Sequence, residues 1–168
     1  MSAKGTTLAD FAGMSGIESM QALIAGKFPP PSIAATLGFA LVAVDSGYAL
    51  FEGEPNDRIL NPLGVVHGGY ALTLIDSCCG CAAHTTLPAN VGYTTIETKV
   101  NFVRAITPET GTLRAEGRVV AQGRTIITAE GALRDARGKL YAHGTSTLLV
   151  LRAEKTPEKT QDKTETRV

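Results

Sequence analysis

The sequence has no excess charge of either sign, since 16 Lys and Arg balance 16 Asp and Glu over 168 residues. Nucleic acid and anionic membranes are drawn to strong basic patches, so neither is expected as a partner. A disulfide framework is also lacking. Cys78, Cys79 and Cys81 are an odd number crowded onto one short segment, where helical neighbours cannot reach each other with disulfide geometry. Reduced thiols predict a cytoplasmic location. Residues 1–16 have no basic segment followed by an apolar one, so they do not read as a secretory leader. The longest apolar run, around Asp76, is short for a bilayer span and is interrupted by Asp76 and His84. No internal repeat is visible, and the length suits one domain of roughly 100–150 residues with appendages.

Charge is scarcest in the middle. Between Arg58 and Glu97 the one formally charged side chain is Asp76, set in the run from Gly69 to His84. A helix apolar on nearly every face is expected to be buried, and a carboxylate there costs several kcal/mol unless partnered or used. Immediately upstream, Asn61-Pro62-Leu63-Gly64-Val65-Val66-His67-Gly68-Gly69 ends in paired glycines, which let a ligand approach the backbone and leave free amides at a helix start. Such amides suit an oxyanion.

Around this centre the pattern is mixed. Ser15 and Glu18 have capping-box spacing, and Ile17, Met20, Leu23 and Ile24 recur at helical intervals until Gly26 and Lys27. Phe28-Pro29-Pro30-Pro31 predicts an extended strap, and Ile33 to Leu37 one more helical turn closed by Gly38. Residues 1–37 therefore read as an extension packed outside the core. Phe39–Val44 and Tyr48–Glu52 flank Asp45-Ser46-Gly47 as a hairpin. After Leu87-Pro88-Ala89-Asn90 the chain reads as four antiparallel strands. Ile96, Val100 and Phe102 alternate with Glu97, Lys99 and Asn101 in the first, and Leu113, Ala115 and Val119 with Arg114, Glu116 and Arg118 in the second. Turns at Gln122-Gly123 and Asp135-Ala136-Arg137-Gly138 bound the others. From Arg152 onward the polar composition is that of a disordered tail. The fold class is α+β, an antiparallel sheet curled around one central helix.

This order, with Asn61, His67-Gly68-Gly69 and Asp76 followed by Gly92-Tyr93-Thr94-Thr95-Ile96-Glu97-Thr98-Lys99-Val100-Asn101-Phe102, resembles the hotdog-fold acyl-CoA thioesterases of the phenylacetate-degradation, PaaI-like type. The likeness runs over residues 38–151. It implies homodimers, often dimers of dimers, acting on a coenzyme A thioester. By motif position it makes Gly68 the oxyanion donor and Asp76 the nucleophile or general base. Asn61, His67, Gly69 and Thr95 would orient substrate or water, with Thr94 the alternative to Thr95 if the strand slips by one.

The chemistry stands without the family. Thioester hydrolysis needs negative charge stabilised on a carbonyl oxygen and a nucleophile delivered to its carbon, which backbone amides and one carboxylate supply with no metal or other cofactor. Gly68 and Asp76 lie about 12 Å apart along a helix, too far to serve one carbonyl, so the geometry predicts sites shared between two chains with antiparallel central helices. Plainer readings remain. Asp76 could simply bond the strand it faces, Asn61 before Pro62 could be a turn residue, and His67 reads more as a support of the helix start than as a proton carrier. Cys78, Cys81 and His84 fall on one helical face, yet structural zinc sites usually draw ligands from separate segments, and buried thiols with His84 as a helix-end residue are the simpler expectation. Arg104, Arg124 and Arg137 are each available to coenzyme A phosphates, and nothing in the sequence selects one. The alternative functions are an acyl-thioester hydratase or dehydratase of the same fold and a non-catalytic acyl-CoA binding module.

Overall fold

The computed structural model describes residues 5–152. Two short helices lead the chain, α1 (Gly16–Ile24) and α2 (Ser32–Leu37). The Ser15 amide and hydroxyl both donate to Glu18 Oε2, at 2.8 and 2.6 Å, so the capping box starts α1 as its spacing predicts. Gly38 ends α2 in the left-handed region, at φ 72°. The hairpin β1 (Phe39–Asp45) and β2 (Tyr48–Gly53) follows, turning through Ser46-Gly47 with Gly47 at φ 71°. Then come the central helix α3 (Gly68–His84) and the strands β3 (Val91–Phe102), β4 (Leu113–Gln122), β5 (Ile126–Asp135) and β6 (Leu140–Arg152).

The strands form one antiparallel sheet in the order β1-β2-β4-β5-β6-β3. β3 therefore pairs with β6 at one edge, and β4 continues from β2. Strand β6 runs through Arg152, and the tail expected to be disordered, 153–168, lies outside the described residues. No helix among the described residues is long and apolar enough to cross a membrane.

The sheet curls around α3 because three glycines lie in a row beneath it. Gly117, Gly131 and Gly144 are directly paired across β4, β5 and β6. A Cβ on Gly117 would stand 2.2 Å from the Cys78 carbonyl oxygen, and one on Gly131 3.1 Å from the Cys78 and Cys79 sulfurs. With that row open, Ala71, Leu74, Ile75, Cys78, Cys79 and Ala82 sink into the concave face beside Leu113, Ile127, Leu133 and Leu148. Dense interiors tolerate no extra methyl at such a contact.

Two expectations fail here. The extension does not stay outside the core: Met20 and Ala22 are buried, Ala34 joins the main apolar cluster, and the Gly16 amide donates to Leu87 O at 2.9 Å. Nor does β3 alternate without interruption. A bulge at Ile96 breaks its register against β6, where Thr95 faces Leu148 and Glu97 faces Thr147, so Ile96 points out and is 56% exposed. Beyond the bulge the inner face passes to Thr98, Val100 and Phe102.

Candidate active site

Asp76 sits midway along α3 and is half-buried, not enclosed as the run of apolar neighbours predicted. Its Oδ1 accepts two hydroxyl hydrogen bonds from β3, from Thr95 at 3.1 Å and Thr98 at 3.0 Å. The bulge makes this pair possible: with strict alternation Thr95 and Thr98 would face opposite sides of the strand. Thr94, the other candidate, is exposed. Behind Thr98 lies Ser146 of β6, 1% exposed, 3.0 Å from the Thr98 hydroxyl and donating to Glu97 O at 3.1 Å. Thr98 gives its one proton to Asp76 and Ser146 gives its own to Glu97 O, so Ser146 backs the Thr98 hydroxyl by close contact and not by a donated proton. Oδ2 accepts no hydrogen bond from the described residues.

Asp76 and Thr95 open onto a cavity of about 560 Å³. Its inner wall includes Ser77, Cys81, His84 and Tyr93; its outer wall is the extension, through Phe11, Met20, Leu23, Phe28 and Ile33 among others. Burial and the Asp76 charge push the Cys81 thiol up to about 12, which rules it out as a thiolate nucleophile near neutral pH. Among the described residues no three His, Cys, Asp or Glu side chains come together around one metal position. His84 is not the plain helix-end residue expected. It is buried, its Nε2 lies 3.2 Å from Ser19 Oγ of α1, and its Nδ1 has no partner among the described residues. Burial lowers its pKa below the ordinary 6.5. Neither Thr98 nor His84 stands out in the sequence; the bulge that presents the one and the α1 contact that buries the other are both non-local.

The remaining expected residues gather elsewhere. His67 caps α3, its Nδ1 accepting from the Gly69 amide at 2.9 Å, which is the supporting role expected of it. That contact occupies the Gly69 N–H. Of the paired glycines, Gly68 alone keeps an amide without an acceptor among the described residues, at the first helical position where no intrahelical partner exists. Gly68 borders a second, smaller cavity with Ala71, Phe102, Arg104 and Tyr141, and the edge of the Phe102 ring covers its Cα side. Asn61 Oδ1 accepts from the Leu63 amide at 2.9 Å and the Val65 amide at 3.4 Å, building the turn that delivers the chain to His67. Its Nδ2 is left to donate. Of the three arginines, Arg104 borders the Gly68 cavity while its guanidinium donates to Leu140 O; Arg137 pairs with Asp135 in the β5–β6 turn. Within one chain the site residues thus fall into two groups, Asn61, His67 and Gly68 at the start of α3 and Asp76 with Thr95 and Thr98 halfway along it.

Comparison with known proteins gives the family. A family model described as the thioesterase superfamily matches residues 63–142. A Saccharolobus solfataricus protein, provisionally named an esterase, is 31% identical over 118 residues, which are 70% of this chain and 82% of that protein. A crystal structure from Ralstonia eutropha JMP134, of a phenylacetic acid degradation-related protein provisionally named a thioesterase, is 30% identical with a TM-score of 0.70 over 77% of this chain and 98% of its own. A Streptococcus mutans UA159 protein, whose structure holds acetyl-CoA, is 28% identical with a TM-score of 0.62 over 70% of this chain and 92% of its own. The shared fold and the matched central region together show that this chain belongs to the thioesterase superfamily, as a PaaI-like protein with the hotdog fold.

Proposed function

We propose that the protein hydrolyses acyl-CoA thioesters to a free acid and coenzyme A, as a cytoplasmic homodimer or dimer of dimers. The observation that carries this reading is the Asp76 carboxylate, held on one oxygen by Thr95 and Thr98 at the mouth of a largely apolar cavity. Oδ2 attacks the thioester carbon, or takes a proton from a water that does. The Gly68 amide of the other protomer stabilises the oxyanion, with Asn61 Nδ2 of that protomer orienting the carbonyl or the water. Collapse of the tetrahedral centre breaks the C–S bond and the thiolate leaves with a proton from water; where Oδ2 itself attacked, a water then hydrolyses the acyl–Asp76 anhydride, releasing the acid and restoring the carboxylate. Water, thioester, acid and thiol balance with no metal or redox cofactor. The acetyl-CoA held by the Streptococcus mutans relative supports a coenzyme A thioester as the substrate form.

One feature favours the hydratase alternative: a histidine, His84, shares the cavity with the carboxylate. Eight residues of helix, about 12 Å, separate the two, which is too far for an acid–base pair acting on neighbouring carbons. The test is thiol release across a panel of aryl- and alkyl-CoAs. Hydrolysis frees coenzyme A; hydration leaves the thioester intact and changes its acyl chain; binding with neither reaction identifies a non-catalytic module and refutes the proposal.

A further inference from the structure

The far end of the Asp76 cavity carries a polar feature that hydrolysis does not use. Ser77, Cys81 and His84 line its inner wall at helical spacing from Asp76 toward the end of α3. Around them the lining is mainly apolar, from Phe11, Met20, Leu23 and Phe28 of the extension. His84 interrupts that surface. It is 6% exposed, and its Nδ1 has no hydrogen-bond partner among the described residues.

The surrounding bonds decide which form of the ring is present. Ser19 Oγ donates its single proton to Gly16 O at 2.8 Å, so in its 3.2 Å contact with His84 Nε2 the hydroxyl oxygen accepts. Nε2 therefore bears the proton. Desolvation keeps the ring neutral, in agreement with its lowered pKa, and Nδ1 is left as a bare acceptor. Buried acceptors are rarely left unmatched, and an unmet one at a ligand cavity marks where a donor belongs. Tyr93, whose ring centroid is 5.6 Å from that of His84, lays its phenol oxygen against Gly80, one helical turn before His84. The phenol makes no hydrogen bond to the described residues. A ligand hydroxyl that donates to Nδ1 supplies the missing partner, with the Tyr93 ring beside it.

The distance sets chain length. Asp76 and His84 are eight residues apart on α3, about 12 Å, which an extended acyl chain of roughly eight to ten carbons spans at ordinary bond lengths. The 560 Å³ cavity has room for it. We propose that His84 is a specificity-determining residue whose Nδ1 receives a hydroxyl near the end of the acyl group, making the substrate class medium-chain acyl-CoAs with a distal hydroxyl. This rests on the acyl-CoA hydrolase reading above. Ser19, on a helix outside the matched family region, acts as a positioning residue that holds the acceptor tautomer.

The experiment compares 10-hydroxydecanoyl-CoA with decanoyl-CoA. In the unmutated protein kcat/KM favours the hydroxy substrate by about fivefold or more, the usual net worth of one buried hydrogen bond. His84→Leu brings the ratio below one, because the hydroxyl then enters the cavity without an acceptor. Ser19→Ala lowers the ratio without abolishing it, as the ring is freed to adopt either tautomer. The thioethers S-(10-hydroxydecyl)-CoA and S-decyl-CoA, titrated calorimetrically into the unmutated protein, give the same preference in Kd and depend neither on turnover nor on the folding of a variant. Equal hydrolysis of both thioesters together with equal binding of both thioethers overturns the recognition and leaves the hydrolase reading intact. Preferred binding of the hydroxy thioether with no hydrolysis of either thioester does the reverse.

Discussion

Gly68→Pro is the cleanest perturbation of the oxyanion donor, because the backbone around Gly68 already suits proline. His67 has φ −61° and ψ 135°, the extended conformation a residue before proline prefers, and Gly68 is the first residue of α3, where proline is favoured. Its N–H has no acceptor among the described residues, so their hydrogen bonds are kept. The closest obstacle to a new Cβ is the ring edge of Phe102, 3.2 Å away on a side chain 59% exposed. The fold should therefore persist while the oxyanion loses its amide, a change of about 10²–10³ in turnover. If Gly68 and Asp76 serve one carbonyl from opposite chains, the Gly68→Pro and Asp76→Ala homodimers are each disabled at both sites. A mixed dimer has one doubly defective site and one intact site, made of Asp76 from the first variant and Gly68 from the second. Random co-assembly makes about half the dimers mixed, so activity returns to roughly a quarter of wild type if the sites are independent. The assay is thiol release after the two variants are co-expressed with different tags and the mixed dimer is purified, which should run at about half of wild type. A mixed dimer no more active than the mean of its parents refutes the shared site.

Four further outcomes follow from the same geometry. Asp76→Asn should fold with melting close to wild type, since the amide oxygen still accepts from Thr95 and Thr98, and should lose about 10²–10⁴ in kcat; near-full activity would remove Asp76 from the mechanism. Thr98→Val should lower kcat about tenfold by releasing Oδ1, while Thr98→Ser restores most of it; equal kcat in both variants refutes the positioning role. Gly117→Ala should destabilise by about 2–3 kcal/mol, because its Cβ meets the Cys78 carbonyl at 2.2 Å, and calorimetry should show a clear fall in Tm. His84 has a folded pKa below 6.5, so the unfolded chain takes up its proton first; its contribution to stability is complete above pH 6.5 and is lost as pH falls from there toward the folded value. Denaturant midpoints measured from pH 7.5 to 5 should fall less steeply in His84→Gln, and identical slopes would show that His84 is not the titrating group.

Much of this was legible in the chain because the informative signals are local. The Ser15–Glu18 capping box, the Ser46-Gly47 turn and the uncharged run around Asp76 each act within a few residues, and each appears where its pattern places it. The pairing of Asp76 with Thr95 came from the family motif, since no local rule links positions 19 residues apart. Strand alternation held where the sheet is regular, in Leu113 and Ala115 of β4, and failed in β3, where one extra residue moves Thr98 to the inner face and leaves Ile96 in solvent. Bulges carry no side-chain signature in a strand rich in β-branched residues, so the second hydroxyl on Asp76 was invisible.

The other misses share a different cause. His84 reads as a helix-end residue because the group that engages it, Ser19, lies 65 positions earlier on a helix whose own pattern predicts only a surface stripe. The row of Gly117, Gly131 and Gly144 is likewise ordinary in each strand taken singly and acquires meaning when antiparallel pairing aligns all three under α3. Composition and periodicity report what a segment needs, a buried face or a free amide, and not which distant segment meets that need. The candidate reacting groups Asp76, Gly68 and Thr95 lie on one helix and one strand and could be picked out as a motif. The cavity that would choose the acyl group is assembled from α3, β3 and the extension, so its selectivity follows from contacts between elements far apart in sequence. The Gly68 and Asp76 groups, eight residues apart along α3, extend the same logic to the second chain of the proposed dimer: under that proposal it is a two-fold axis between antiparallel copies of the helix, and no contact within one chain, that brings them to one carbonyl.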